Sequence, residues 1–430
     1  MSLLTRLVQL ALPRATALDL RLIAFSALLY LCSGVGQTYF IQFYREDIAQ
    51  ALSISDGTFG SFYFFGTLAS GLLIFMTGRI FDVWDLRRVT ILVVVGAGIS
   101  CMIFGQIWFL FMLAPAIFLQ RHTGQGLMSH VANSTPARYF THLRGRATSV
   151  VNASYALGEA SLPALGALLV MLLGGWQMMF TALGFILILI VLPLALWLLR
   201  GHDQRQALYL QRLEDENAAD DANPVPGSRR RQWTLGEVVR DPTIYMLVPT
   251  IMAPSFIFTG LVIYGLEFAK EFKLEPQQWL FAWSIYAILQ FCFTFPIGWL
   301  VDRLSATRLA AFVAIPLALG LLVSFPFTGI GAALSMLLFI GMGQALGSIL
   351  VGPMLAEIYG VKHMGKIKSL FTSLTVVASA GGPLLVGNLL DVGIDLKTQS
   401  LGFAAYIFLA AIVAFIATSR LNVRPLAAPS

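Results

Sequence analysis

Long apolar runs separated by short polar stretches dominate this chain. A helix needs about 20 largely apolar residues to cross a bilayer. Runs of that kind fall at roughly 20–43, 57–77, 89–107, 109–138, 146–172, 175–199, 243–265, 277–299, 307–327, 330–358, 365–390 and 400–419. Twelve crossings are therefore expected, six on each side of a polar stretch at 201–241. That stretch carries Glu214, Asp215, Glu216, Asp220 and Asp221, then Arg229, Arg230 and Arg231. Such a composition solvates a segment rather than packing it. The expected fold is an all-α membrane protein of two pseudo-symmetric six-helix bundles. Its parts are an N-terminal bundle over 1–200, a cytoplasmic linker over 201–241 and a C-terminal bundle over 242–430.

Composition agrees with this. The chain is 57% hydrophobic and 12% charged, against about 25% charged in soluble domains. Its net charge of +6 has a topological origin. With the N-terminus inside, cytoplasmic segments hold 23 of the 28 Lys and Arg residues, and outer segments hold four: Arg45, Lys270, Lys273 and Lys397. That bias places both termini in the cytoplasm. It also removes the nucleic-acid reading of a basic protein. The expected location is a plasma membrane, read as a bacterial inner membrane. Arg6 and Arg14 lie in an N-terminal stretch read as an amphipathic tail on the membrane rather than a cleaved signal. Cys32, Cys101 and Cys292 lie inside apolar runs, so no disulfide framework or metal cluster is expected. No phosphate-binding Gly-x-x-x-x-Gly-Lys-Ser/Thr pattern is present, so no nucleotide, cofactor or enzymatic activity is expected.

The two halves are copies. Gly78 and Asp82 recur as Gly298 and Asp302, 220 residues later, and Arg88/Arg308, Gly145/Gly365, Ser149/Ser369 and Pro163/Pro383 keep that offset. Gly124-Gln125 matches Gly343-Gln344 at 219. Parallel repeats of this kind are one transporter design. Along almost its whole length the sequence resembles the major facilitator superfamily. That family carries a Gly-x-x-x-Asp-Arg-x-Gly-Arg-Arg loop after its second span, weakly repeated after the eighth. Gly78, Asp82, Arg87 and Arg88 match the first copy, and Gly298, Asp302, Arg303 and Arg308 the second. Val83 replaces a basic residue, and the Arg pair comes one position late. The resemblance implies a monomeric secondary transporter in which Asp82, Arg87, Arg88, Asp302 and Arg308 gate the cytoplasmic side. The alternative is a static clasp between carboxylates, loop Arg residues and helix ends. Gly158, Pro163 and Gly166 partly resemble the family's antiporter signature in span five.

Candidate chemistry centres on Arg121, which falls mid-membrane within Gln120–Gly126. A guanidinium in hydrocarbon costs at least a few kcal/mol, about 2.5–3.5 on insertion scales, so it needs a partner or a wet cavity. At helical spacing, Arg121, Gln125, Ser129 and Asn133 form one row, and His122, Gly126, His130 and Ser134 the next. On span five, Asn152, Tyr155 and Glu159 share a face, with Glu159 at the depth of Arg121. Equal depth and opposite sign predict an Arg121–Glu159 pair. Three roles for Arg121 stay open: holding a substrate anion, tuning a proton site at Glu159, or a purely structural bond. His122 is a second proton-carrying candidate, with an interhelical hydrogen bond as the alternative.

Tyr30, Ser33, Gln37 and Tyr44 mark span one, and Trp283, Tyr286, Gln290 and Thr294 mark span eight. Span seven has Pro249 and Pro254, which can break its helix and free carbonyls, followed by Tyr264, and span ten has Gln344 and Ser348. The counterpart of Arg121 in the C-terminal half is Ile340, so a site built from both halves would carry one cation. That argues against a dianion held by two Arg clamps. The expected function is proton-coupled transport of a small organic solute, with a monocarboxylate-like anion favoured. Arg121, Gln125, Tyr30, Gln37, Tyr286, Gln290 and Gln344 would bind the solute, and Glu159 and His122 would carry the proton. The alternatives are a proton-driven exporter of amphiphiles, uptake of a neutral aromatic solute such as a vitamin, and a non-transporting receptor or scaffold.

Overall fold

A computed structural model of the chain describes residues 16–140, 144–203, 205–207, 211, 233–360, 364–419 and 421. The described residues are helical, with no strand. Eleven helices are long and apolar enough to cross a membrane. In chain order, and leaving a place for the fourth crossing, these are α1 (Leu18–Gly36), α2 (Asp56–Val83), α3 (Leu86–Phe104), α5 (Arg144–Leu173) and α6 (Trp176–Leu198). Then come α7 (Pro242–Ile263), α8 (Pro276–Leu304), α9 (Ala306–Ser324), α10 (Ile330–Tyr359), α11 (Met364–Asp391) and α12 (Leu396–Ser419). The twelfth crossing, α4, is a run of three helical pieces: Leu113–Gln120, a π-helical stretch Arg121–Met128, and Ser129–Tyr139.

Local chemistry sets the ends. Asp85 accepts from the backbone N–H groups of Arg87 and Arg88 and starts α3; Asp241 does the same for Thr243 ahead of Pro242 at the start of α7. Both carboxylates meet the positive end of a helix. The start of α9 uses a distant acid. Ser305 sits at φ 75°, and buried Glu357 of α10 accepts from its hydroxyl (2.6 Å), from the N–H groups of Ala306 (3.1 Å) and Thr307 (2.9 Å), and from the Thr307 hydroxyl (2.7 Å). Four donors satisfy a buried carboxylate without a cation.

Contacts divide the chain into two compact units. The first is Met1–Phe40 with Leu72–Ser228. In it α1 packs on α5 and on the last piece of α4, and α3 packs on α6. The second is Ile41–Gly71 with Arg229–Ser430. In it α7 packs on α11 and α12, α8 on α10, and α9 on α10 and α12. The first half of α2 thus groups with residues that the repeat assigns to the other half. The described ends of the 201–241 stretch are tethered. His202 and Gln206 are buried, while Thr234 and Glu237 form a capping box beside Trp233, whose N–H donates to the Tyr359 carbonyl.

The first span ends earlier than its apolar run. α1 tightens to a 3₁₀ turn at Ser33–Gly36, and Gln37 is extended (φ −85°, ψ 151°). Gly34 and Gly36 favour this departure, since glycine is costly within a helix. Close approach decides it: a Cβ on Gly124 would lie 2.9 Å from the Cα and N of Gly36. Gly124→Val is expected to destabilise the protein by about 1–3 kcal/mol through overpacking. Thermal denaturation in detergent should show a midpoint lowered by several degrees, while Gly236→Ala, with open space around it, should leave the midpoint unchanged.

Candidate functional site

In the first unit, two irregular stretches of backbone meet. The 3₁₀ end of α1 lies against the π-helical part of α4, through Gly36 and Gly124. Irregular backbone persists in a membrane only where it is buried in protein or lines a cavity, because lipid offers no hydrogen bonds. Arg121 begins the π stretch and is 1% exposed. Its Nη1 donates to the Thr38 hydroxyl (2.8 Å) and lies 3.5 Å from the Gly36 carbonyl. Gln37 is buried, with Nε2 3.4 Å from the Ser129 hydroxyl. Behind Arg121, Gln120 accepts from Ser100 (2.7 Å) and donates to the Val35 carbonyl (2.8 Å), and Ser100 lies 3.0 Å from the Thr123 hydroxyl. His122 is buried and stacks on Phe118 at 5.5 Å.

Several sequence expectations change here. The π-helix closes hydrogen bonds over five residues instead of four, which loosens the register of the α4 row. Arg121 is buried, Gln125 half-buried and Asn133 exposed, and the row still meets the first span: Arg121 at Thr38, Ser129 at Gln37 and Asn133 at Tyr30. The expected face of Tyr30, Ser33, Gln37 and Tyr44 is broken, because the helix ends at Gly36. Ser33 spends its hydroxyl on the Tyr30 carbonyl (2.6 Å). The Arg121–Glu159 ion pair is not formed. Glu159 is 3% exposed and makes no hydrogen bond or ion pair among the described residues, while Arg121 reaches Thr38 on the α1 side. One turn from Glu159 on α5, the Tyr155 ring lies 4.8 Å from Tyr30 and 5.9 Å from Tyr39.

In the second unit, Trp283 and Tyr286 of α8 pack with Phe258 of α7, with ring centres 4.8, 5.9 and 6.2 Å apart. Phe258, Trp283 and Ile340 border a small apolar cavity among α7, α8 and α10. Gln290 and Gln344 are half-buried, and the buried Oε1 of Gln290 accepts no hydrogen bond. Thr294 and Ser348 bond within their own helices. Pro249 and Pro254 do not break α7, which runs unbroken through both; the Pro249 carbonyl accepts from Tyr406 (3.1 Å).

Of the gating candidates, the side chains of Asp82 and Asp302 lie outside the described residues. Arg87 donates to Asp203 at 3.1 Å, and Arg88 and Arg308 are exposed.

The most heavily bonded charge cluster was not singled out by the sequence reading, which used its cations only to orient the chain. It lies in the second unit, on the side that loop charges assign to the outside. Arg45, 2% exposed, pairs with Asp56 at the start of α2 and with Glu267 (2.7 Å), and stacks over the Tyr264 ring at 4.8 Å. Tyr264 donates to the carbonyls of Asp56 (2.8 Å) and Pro383 (3.2 Å). Lys270 bridges Glu46 (2.5 Å) and Glu267 (3.3 Å). Burial would lower the Lys270 pKa, but its bond to Glu46 and the charges of Glu267 and Glu46 hold it above the ordinary value. Asp391 of α11 accepts from Ser55 (2.7 Å) and the Gly57 N–H (3.0 Å) at the start of α2. The available signal was that Arg45 is the one Arg among the four outer cations. Such a cluster holds residues 45–57, with the start of α2, against the residues that follow α7 and against the end of α11. Arg45→Met should cost about 1–3 kcal/mol of that closure by leaving two acids unpaired. In a background lacking Cys32, Cys101 and Cys292, a cysteine replacing buried Thr67 should react about tenfold faster with an impermeant maleimide. An unchanged rate would count against a gate.

The model of the Major Facilitator Superfamily matches residues 26–383 and 262–427. No curated sequence matches this chain significantly. Among solved structures, it is similar to a bacterial homologue of the human lysosomal transporter Spinster, in an inward-facing and occupied conformation. The two share 15% identity, with a TM-score of 0.68 over 95% of this chain and 98% of that one. The same homologue in an inward-facing, unoccupied conformation gives 15% identity and a TM-score of 0.67, over 94% and 98%. At such identities these likenesses speak for the fold, and the family match speaks for the lineage: this chain belongs to the Major Facilitator Superfamily, as a multi-pass membrane transporter.

Proposed function

We propose that this transporter moves a small organic solute by alternating access, coupled to protons, and that a monocarboxylate-like anion is its preferred cargo. The observation that carries this reading is Arg121, buried where α1 and α4 both leave α-geometry. A forked guanidinium among neutral hydroxyl, amide and carbonyl groups suits one carboxylate. Glu159 is the proton carrier in this reading. It is buried on the same unit and tied to no cation among the described residues, which suits a charge that changes during the cycle. Gln37 and Gln125 supply amides beside Arg121, and His122 is kept as a secondary proton group. The Arg45 cluster acts as the outer gate. Arg87 and Arg88, with Asp82, Asp302 and Arg308, retain the cytoplasmic gating role that the resemblance implies.

A second reading has its own support. The ring cluster of Phe258, Trp283 and Tyr286 beside an apolar cavity favours a solute with an aromatic or acyl portion.

Proteoliposome uptake of lactate, acetate and riboflavin, with and without a pH gradient, tests both readings. Accumulation of a monocarboxylate driven by inward acid is expected, and gradient-independent uptake of riboflavin alone would favour the second. Arg121→Ala should weaken anion transport about 10- to 100-fold, the worth of one charge-assisted bond, and spare a neutral solute. Unchanged anion affinity would refute anion binding. Glu159→Gln should abolish gradient-driven accumulation while preserving solute exchange. Normal accumulation in that variant would remove Glu159 from the coupling.

A further inference from the structure

The chain just after α6 opens the polar 201–241 stretch, yet it is docked on the first unit. His202 is 0% exposed. Its Nδ1 lies 3.0 Å from the Leu199 carbonyl at the end of α6, and its Nε2 lies 3.2 Å from Oδ2 of Asp85. The other carboxylate oxygen of Asp85 accepts from the backbone N–H groups of Arg87 (3.0 Å) and Arg88 (3.3 Å). Burial acts to raise the Asp85 pKa. The bond from His202 and those from the Arg88 and Arg87 backbones outweigh it, so the carboxyl lies below its ordinary value. His202 therefore stands between two acceptors, a carbonyl and a carboxylate. A neutral imidazole donates from one nitrogen and presents a lone pair at the other; only the imidazolium donates from both. The helix ends favour the same charges, a cation at the C-terminus of α6 and an anion at the N-terminus of α3.

We propose that His202 is a proton-dependent clasp, which as the imidazolium ties the end of α6 and the residues His202 and Asp203 to the start of α3, and which lets them go when the proton leaves.

The other charged groups around it are identifiable. Asp203 has Oδ1 3.9 Å from His202 Nδ1 and is itself paired with Arg87 at 3.1 Å. One turn on, Arg205 pairs with Asp19 of α1 (2.7 Å) and donates to the Tyr139 carbonyl (3.3 Å), and the Tyr139 hydroxyl donates to Gln206 (2.5 Å). Asp85, His202 and Asp203 lie close enough together to suggest a metal site. Nδ1 faces a carbonyl and Nε2 a carboxylate, so either nitrogen would have to leave its present neighbour to hold an ion. The clasp needs its proton, so it is complete at acid pH and weakens as pH rises. Release would also part Asp203 from Arg87, in the first turn of α3, next to the loop that carries the expected cytoplasmic gate. The sensed pH is then that of the compartment facing this loop, independently of what the transporter carries.

Hydrogen exchange of the full-length protein in nanodiscs, corrected for intrinsic rates, tests the clasp. The amides of His202 and Asp203 should lose about tenfold or more of their protection between about pH 6 and pH 8.5. In His202→Gln, protection should be low and equal at both values. Equal protection of the wild type at both pH values, or a wild-type pH response in His202→Gln, would overturn the proposal. Nitrogen-15 spectra of histidine-labelled wild type give an independent reading if that variant misfolds. Two protonated ring nitrogens on His202 at about pH 6 support the clasp, and a neutral tautomer there overturns it.

Discussion

A peptide group in hydrocarbon has no water to bond, so every departure from helical geometry within the membrane must find its hydrogen bonds inside the protein. This constraint organises the first unit. α1 gives up its α-helix at Ser33–Gly36, and α4 widens to a π-helix at Arg121–Met128. The two irregular stretches lie against each other, where Gly36 and Gly124 let the backbones touch. Gln120 takes up the Val35 carbonyl, and Arg121 reaches the Gly36 carbonyl and the Thr38 hydroxyl. Charge, irregular backbone and close approach thus share one place because each makes the others tolerable.

Electrostatics divides the two faces of the membrane differently. One face holds most of the basic residues, which orient the chain. The other holds four by the topology drawn from the sequence, and Arg45, Lys270 and Lys397 among them are bonded rather than dispersed. Arg45 is buried between two carboxylates and a tyrosine ring, where its pairing is screened far less than that of an exposed pair. Scarcity of charge on that face makes each ion pair there a specific tie, and specific ties are what a gate requires.

The duplicated halves solve the same problems with different residues. α3 and α9 both begin after a tight turn, but Asp85 caps the first from the preceding position and Glu357 caps the second from α10. α10 is α-helical throughout, whereas its counterpart α4 is π-helical at Arg121–Met128. The repeat offset slips from 220 to 219 at Gly124-Gln125 and returns to 220 at Tyr139/Tyr359. The π stretch lies where the 219 offset holds, and it begins at an Arg whose counterpart is Ile340.

Crossing number, the six-and-six division and the family loop were legible because they rest on hydropathy, spacing and short motifs, all of which are linear in the chain. Burial of Arg121, Glu159, Tyr286 and Gln37 also followed, since polar groups within apolar spans must turn inward. What failed were two different assumptions. The single face of α1 presumed 3.6 residues per turn through a segment that does not keep it, and the Arg121–Glu159 pair presumed that equal depth and opposite sign bring two side chains together. Arg45 with Asp56 and Glu267, Glu357 with the start of α9, and His202 with Asp85 could not be read from the sequence either. Their members stand 11, 222, about 50 and 117 residues apart, and only the packing of helices brings such residues together. The sequence by itself determined which segments enter the membrane, because hydrocarbon selects on local composition. The tertiary structure decided which charges meet, because that depends on helix ends and register, to which hydropathy is blind.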